Sequence, residues 1–158
     1  MSRRDQIRMS DAEVRAFLEE ERTVVCATNG RRGWPHLMPL WYVLRPTGDD
    51  GAPQVWAWTF AKSQKAKNLE RDPRATLQVE AGEAYDELRG VMLECDVTVH
   101  RDVDLLREFG LELYARYAEV DDGVRAMVDQ QAPKRIGLQF VERSRATWDH
   151  RKLGGGVY

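Results

Sequence analysis

Residues 56–74 read WAWTFAKSQKAKNLERDPR, a β-prone aromatic run that passes into a short Lys-rich helix pattern and stops at Asp72-Pro73. The junction sets Thr59, Lys62, Ser63, Lys65 and Lys67 where a strand ends and a helix begins. Hydroxyls, open first-turn N–H groups and ammonium charges can converge there on one anion, which is phosphate chemistry beside an aromatic wall. A solvated helix face explains most lysine runs, and spacing alone leaves both readings open.

Outward from this junction the chain reads as one domain, 1–158, of ordinary globular composition. It is 42% hydrophobic, with a net charge of -2, so its bulk charge does not point to nucleic acid and the basic cluster is local. Cys26 and Cys95 fall in apolar strand patterns without a second Cys or a His at ligand spacing, which reads as two buried small hydrophobes and no metal. No apolar run approaches a membrane span, and MSRRDQIRMS is polar where a signal peptide would be apolar. The expectation is a cytoplasmic protein with no membrane or nucleic-acid partner.

Ser10 to Glu13 forms a capping box, and Val14, Phe17 and Leu18 give the helix behind it one apolar face. Residues 23–28 are β-branched and apolar, and Asn29-Gly30 with Gly33 turns the chain into a long run at 34–44, predicting a hairpin. Both faces of that run are apolar, and Pro35 and Pro39 remove ladder donors, so it predicts an edge, a bend or a bulge. After the 46–53 loop come a strand at 54–60, the short helix, and strands at 75–80 and 88–100; the last buries Val91, Leu93, Cys95, Val97 and Val99 on one face. Leu106, Phe109, Leu113 and Tyr117 mark a helix over 102–119, Val124, Met127 and Val128 a second, and strands are predicted at 134–141 and 145–148. Strands with close turn signals and no regular strand-helix alternation predict a mainly β, α+β architecture: an antiparallel barrel with flanking helices.

The chain resembles the split β-barrel superfamily of pyridoxamine 5′-phosphate oxidase-like, flavin-binding proteins, and within it the branch that binds the deazaflavin coenzyme F420. The resemblance rests on GWPHLMPLWYVL at 33–44, TFAKSQKAKNLERDPRATLQVE at 59–80 and ATWDHRKLGGG at 146–156. It implies a homodimer with the cofactor in a groove at the subunit interface. Ser63 and Lys65 would hold the phosphate, with Lys62 beside them; Met38, Pro39, Leu40 and Trp41 would lie along the ring, Thr59 would face it, and Trp148, with Arg151 and Lys152 nearby, would complete the pocket.

The implied activity is hydride transfer from reduced F420 to a conjugated or electron-poor small molecule, with the ring chemistry supplied by the cofactor. Gln64 stands where members holding flavin mononucleotide usually carry Arg, and Lys62, Lys67, Arg71 and Arg74 would suit a longer anionic tail. An FMN-dependent oxidase of the same fold, or a non-catalytic carrier of cofactor, haem or tetrapyrrole, are the alternatives. Trp41, Trp56, Trp58 and Trp148 can wall a ring, although Trp56 reads better as core. His36 is a lone histidine in the ring-lining strand, and spacing assembles no nucleophilic triad or carboxylate pair.

Overall fold

Two capping boxes open the chain. The Ser2 and Ser10 hydroxyl oxygens accept amides three residues on, and Asp5 and Glu13 accept the serine amides in return, starting α1 (Arg3–Gln6) and α2 (Asp11–Glu20). The computed structural model describes residues 2–47 and 51–154. It contains β1 (Val24–Asn29), β2 (Pro35–Leu40), β3 (Val43–Arg45), β4 (Gln54–Phe60), α3 (Gln64–Arg71), β5 (Arg74–Ala81), β6 (Arg89–His100), α4 (Val103–Tyr117), α5 (Asp122–Gln131) and β7 (Arg135–Asp149). The seven strands form one sheet in the order β2-β1-β5-β6-β7-β4-β3, and every neighbouring pair is antiparallel. The expected antiparallel split barrel with flanking helices is the fold.

The run at 34–44, expected as one strand, is two. β2 pairs with β1, and β3 pairs with β4, because Tyr42 between them leaves the ladder. Its amide donates to the Tyr117 hydroxyl at 2.9 Å, its carbonyl accepts from Arg116 Nη1 at 2.5 Å, and its own hydroxyl donates to Leu18 O at 2.7 Å. Side chains of α4 thus satisfy the backbone groups that a strand neighbour would otherwise take. The pieces expected at 134–141 and 145–148 are conversely one strand. Glu94 pairs with Ser144 and Cys95 with Glu142, so Arg143 is an extra residue that bends β7 without ending it.

Alternation along β4 divides the apolar side chains. Val55 and Ala57 enter the barrel core with Val24, Cys26, Leu77, Val91, Leu138 and Phe140, and α2 and α3 add Phe17, Leu18, Ala66 and Leu69 to it. Trp56 and Trp58 point the other way, under α4 and α5, against Phe109, Leu113 and Val128. Gly110 is required there, since a Cβ on it would lie 2.7 Å from Trp58. Trp56 is core, not a cofactor wall. Both thiols are free and buried, and burial pushes each to about 12.

Two consequences position the site. β3 reaches only as far as Trp56 on β4, while β7 follows β4 to Phe60, so the last four residues of β4 have one open edge. β2 pairs on one side only, so the barrel is split between β2 and the end of β4. The second consequence is that α4 and α5 cover the outer face of β3, β4 and the start of β7. On the outer face of β2, β1, β5 and β6 the residues at matching register are Leu37, Ala27, Thr76 and Glu94, with Met92 and Trp148 nearby. No helix buries these positions, and Leu37 is 56% exposed.

Candidate functional site

The end of β4 and the start of α3 assemble as the junction spacing predicts. Ser63 is the N-cap of α3 and its Oγ accepts the Ala66 amide at 3.2 Å. Thr59, buried at the end of β4, donates its hydroxyl to the same Oγ at 3.2 Å. Both acceptor positions of Ser63 Oγ are therefore used, and its remaining function is to donate O–H. The first-turn amides of Gln64 and Lys65 receive no cap, so they are open donors beside it.

Lys65 is 4% exposed, yet no hydrogen bond or ion pair holds its ammonium among the described residues. Burial lowers its pKa, and the titratable group acting on it is the Cys26 thiol, itself held neutral. The side-chain polar atom that is fully enclosed without a partner is His36 Nδ1, so the Lys65 ammonium keeps access to a ligand. A buried cation without a countercharge is costly, and an anion at this point removes the cost. The donor set of Ser63 hydroxyl, two amides and Lys65 fits a phosphate.

The walls come from β2 and from the β2–β3 break. Met38 pairs with Cys26, which places it on the side of β1 that Lys65 approaches, and it is 45% exposed. Leu40 packs on the barrel core, and Pro39 faces out with Leu37. Trp41 lies flat against Tyr117 with centroids 4.2 Å apart, and its edge meets Tyr114 at 5.8 Å. The edges of β2 and of residues 58–60 on β4 have no strand neighbour at the split, so backbone donors and acceptors are open there.

Other expected residues lie elsewhere. Trp148 sits over Gly90 on the outer sheet face, eight residues past Phe140, the last register point that β7 shares with β4, and within one chain it does not line the split. Arg74 is taken by Asp72 in a bidentate pair and Arg71 by the Asn29 carbonyl, while exposed Lys62 and Lys67 have no partner among the described residues. Lys152 is held by Glu13 and Arg151 by Asp149. Of the 46–53 loop, residues 48–50 lie outside the described residues. Sequence reading missed Arg31 and Arg32 of the β1–β2 turn, which line a cleft of about 330 Å³ with His36, Gln64 and Asn68. It also missed Tyr114 and Tyr117, because their helical spacing reads simply as core.

The chain matches the family model described as pyridoxamine 5′-phosphate oxidase over residues 10–151. It belongs to that family. Among solved structures it is similar to a conserved hypothetical protein from Mycobacterium tuberculosis at 40% identity, covering 100% of this chain and 96% of that one, with a TM-score of 0.85. An F420 reductase (17% identity, 83% and 94% covered, TM-score 0.64) and the heme storage protein HutZ from Vibrio cholerae (17%, 86% and 93%, TM-score 0.64) share the fold. No curated protein matches. Among the described residues no cluster of ligating side chains could hold a metal, and no helix is long and apolar enough to cross a membrane.

Proposed function

We propose that this family member is an F420-dependent oxidoreductase that reduces a conjugated or electron-poor small molecule. The observation that carries this reading is Lys65, a buried ammonium with no countercharge beside a serine hydroxyl that can only donate. Ser63, Lys65 and the Gln64 and Lys65 amides hold the phosphate, with Lys62 at the rim. Met38, Pro39, Leu40 and Trp41 line one side of the ring, and Thr59 fixes the anchor from below. Bound here in reduced form, the deazaflavin supplies a hydride to the acceptor, and the product takes its proton from solvent. The chain orients the ring, neutralises the phosphate and keeps one side of the reacting edge dry.

The deazaflavin is favoured over flavin mononucleotide by what surrounds the anchor. Gln64 gives its amide to Asn68 Oδ1 at 2.9 Å and cannot replace a bidentate Arg. Arg31, Arg32, Lys62 and Lys67 carry charge with no acidic partner among the described residues, which suits a ligand with anionic groups beyond one phosphate. The bare face of β2, β1, β5 and β6, with Leu37 exposed on it, supports a homodimer, and exposed Trp34 and Met38 along the same edge of the sheet add apolar surface that a second subunit would cover as it closes the groove. Equilibrium titration of the apoprotein with F420 and flavin mononucleotide in parallel tests the reading. Tighter F420 binding is expected, and equal or tighter flavin binding makes the protein a flavin enzyme.

A further inference from the structure

Five arginines of this chain are half-buried, and four are fully accounted for. Arg45 pairs with Glu108 and Glu112, Arg89 with Glu20 and Glu21, Arg107 with Asp104 and Asp129, and Arg116 donates to four carbonyls. Arg135 is the exception. Its Nε and Nη2 both go to one neutral acceptor, Gln131 Oε1, and no carboxylate lies within 4.0 Å among the described residues. Its Nη1 has no partner there. Removing a guanidinium from water without a countercharge costs free energy that a single amide oxygen does not return.

The surroundings of Arg135 say what would repay that cost. Its guanidinium carbon lies 3.6 Å from the centroid of Phe60, which is 47% exposed, and 4.9 Å from that of Trp58. Trp58 meets Tyr114 edge-on at 6.4 Å and Tyr114 meets Trp41 edge-on at 5.8 Å, so a chain of aromatic rings, exposed at Phe60 and Trp41, runs from the end of β4 to the end of β2 across the split. The strip flanks residues 58–60 from the outer side, while Thr59, Ser63 and Lys65 flank them from the inner side. Cation–π packing accounts for the stacking on Trp58 and Phe60, but it leaves the Nη1 edge and the net charge unanswered.

We propose that Arg135 is the recognition residue for a carboxylate on the molecule that is reduced, and that the substrates are planar conjugated acids lying along the Phe60, Tyr114 and Trp41 strip. This rests on the oxidoreductase reading above for the word substrate, and on the geometry alone for the binding of the acid. The open Nη1 edge of the planar fork donates to a carboxylate oxygen while the exposed Phe60 and Trp41 rings take the conjugated body.

The test uses trans-cinnamate and neutral trans-cinnamamide as probes, titrated calorimetrically into the full chain. Wild type is expected to bind the acid about tenfold or more tightly than the amide, in line with a hydrogen bond to a charged group. Arg135→Gln should bring the ratio to about one, Arg135→Lys should leave a reduced preference, and Lys65→Ala should leave the ratio unchanged. If Arg135→Gln does not fold, Arg135→Lys decides: an unreduced preference overturns the proposal. It is equally overturned if wild type binds neither probe or does not discriminate, or if Lys65→Ala abolishes the preference. F420 titration of Arg135→Gln should match wild type; a lost affinity would give Arg135 to the cofactor and overturn the proposal. Failure of wild type to bind either cofactor would sink the oxidoreductase reading and leave the cinnamate ratio to be judged by itself.

Discussion

The Trp41 indole lies on the Tyr117 ring with planes only 6° apart, and the same tyrosine's hydroxyl accepts the amide of the next residue, Tyr42. One side chain of α4 thereby fixes both the break between β2 and β3 and the orientation of the wall that faces the split.

Tyr117→Phe keeps the stack and leaves the Tyr42 amide without its acceptor, so it should cost about 1–3 kcal/mol in urea unfolding. Tyr117→Ala should cost more and also weaken cofactor binding, because Trp41 is released. Equal stability of Tyr117→Phe and wild type would show that water satisfies the Tyr42 amide.

Lys65→Ala should weaken cofactor binding by about 1.5–3 kcal/mol, with a smaller loss at high salt. Lys65→Met should do the same while stabilising the apoprotein by roughly 1–3 kcal/mol, since it removes a buried charge and keeps the packing. Thermal melts and titrations of the two variants read these effects separately. A destabilised Lys65→Met would mean that the ammonium already has a partner.

Lys65 also makes apoprotein stability depend on pH. Its folded pKa lies below its ordinary 10.5, so between those values the unfolded chain binds a proton that the folded chain lacks, and stability rises with pH across that window. Cys26, Cys95 and Tyr42, each held near 12, act oppositely: the folded chain keeps their protons longer, and stability falls once pH passes their unfolded values. The difference between wild type and Lys65→Met isolates the lysine. Denaturation midpoints for the pair should converge as pH is raised toward 10.5, and a gap independent of pH would remove the burial argument.

The bare sheet face gives a fourth expectation. Met92→Glu places a charge at the register of Gln78 and Ala146 on that face, away from the barrel core, and should convert a dimer to a monomer in light scattering at micromolar concentration. Cofactor affinity should fall with it. A wild-type monomer under the same conditions would remove the interfacial groove.

The barrel was legible in the chain because its signals are local. The Ser10 capping box, the 3.6-residue rhythm of Leu106, Phe109 and Leu113, and the period-two burial of 91–99 each follow from neighbours in sequence. The strand–helix junction that carries the candidate anchor was legible for the same reason, as Thr59, Ser63 and Lys65 sit within seven residues. What was hidden depends on distant partners. The break at Tyr42 is made by Arg116 and Tyr117, and the unpaired state of Arg135 is visible only when every acidic group has been placed around it. Trp56 and Trp41 both pack on side chains of α4, but Trp56 is buried beneath it while Trp41 keeps 45% of its surface open.

The bulge in β7 does more than bend a strand. Before Arg143 the even-numbered residues Ile136, Leu138 and Phe140 point into the barrel; after it the inward positions are odd, with Arg145 opposite Leu93 and Thr147 opposite Val91. Parity along the strand is thus reset by a single residue. Deleting Arg143 would make Glu142 and Ser144 consecutive opposite Cys95 and Glu94, so the bend would be lost while Trp148 stayed over Gly90 and the Thr147 hydroxyl kept the Met9 amide; inserting a second residue there would instead turn the Trp148 indole inward. The two ends of β7 are written in opposite phase, and a sequence without the extra residue would reach the same two faces only by keeping one parity from Ile136 to the end of the strand.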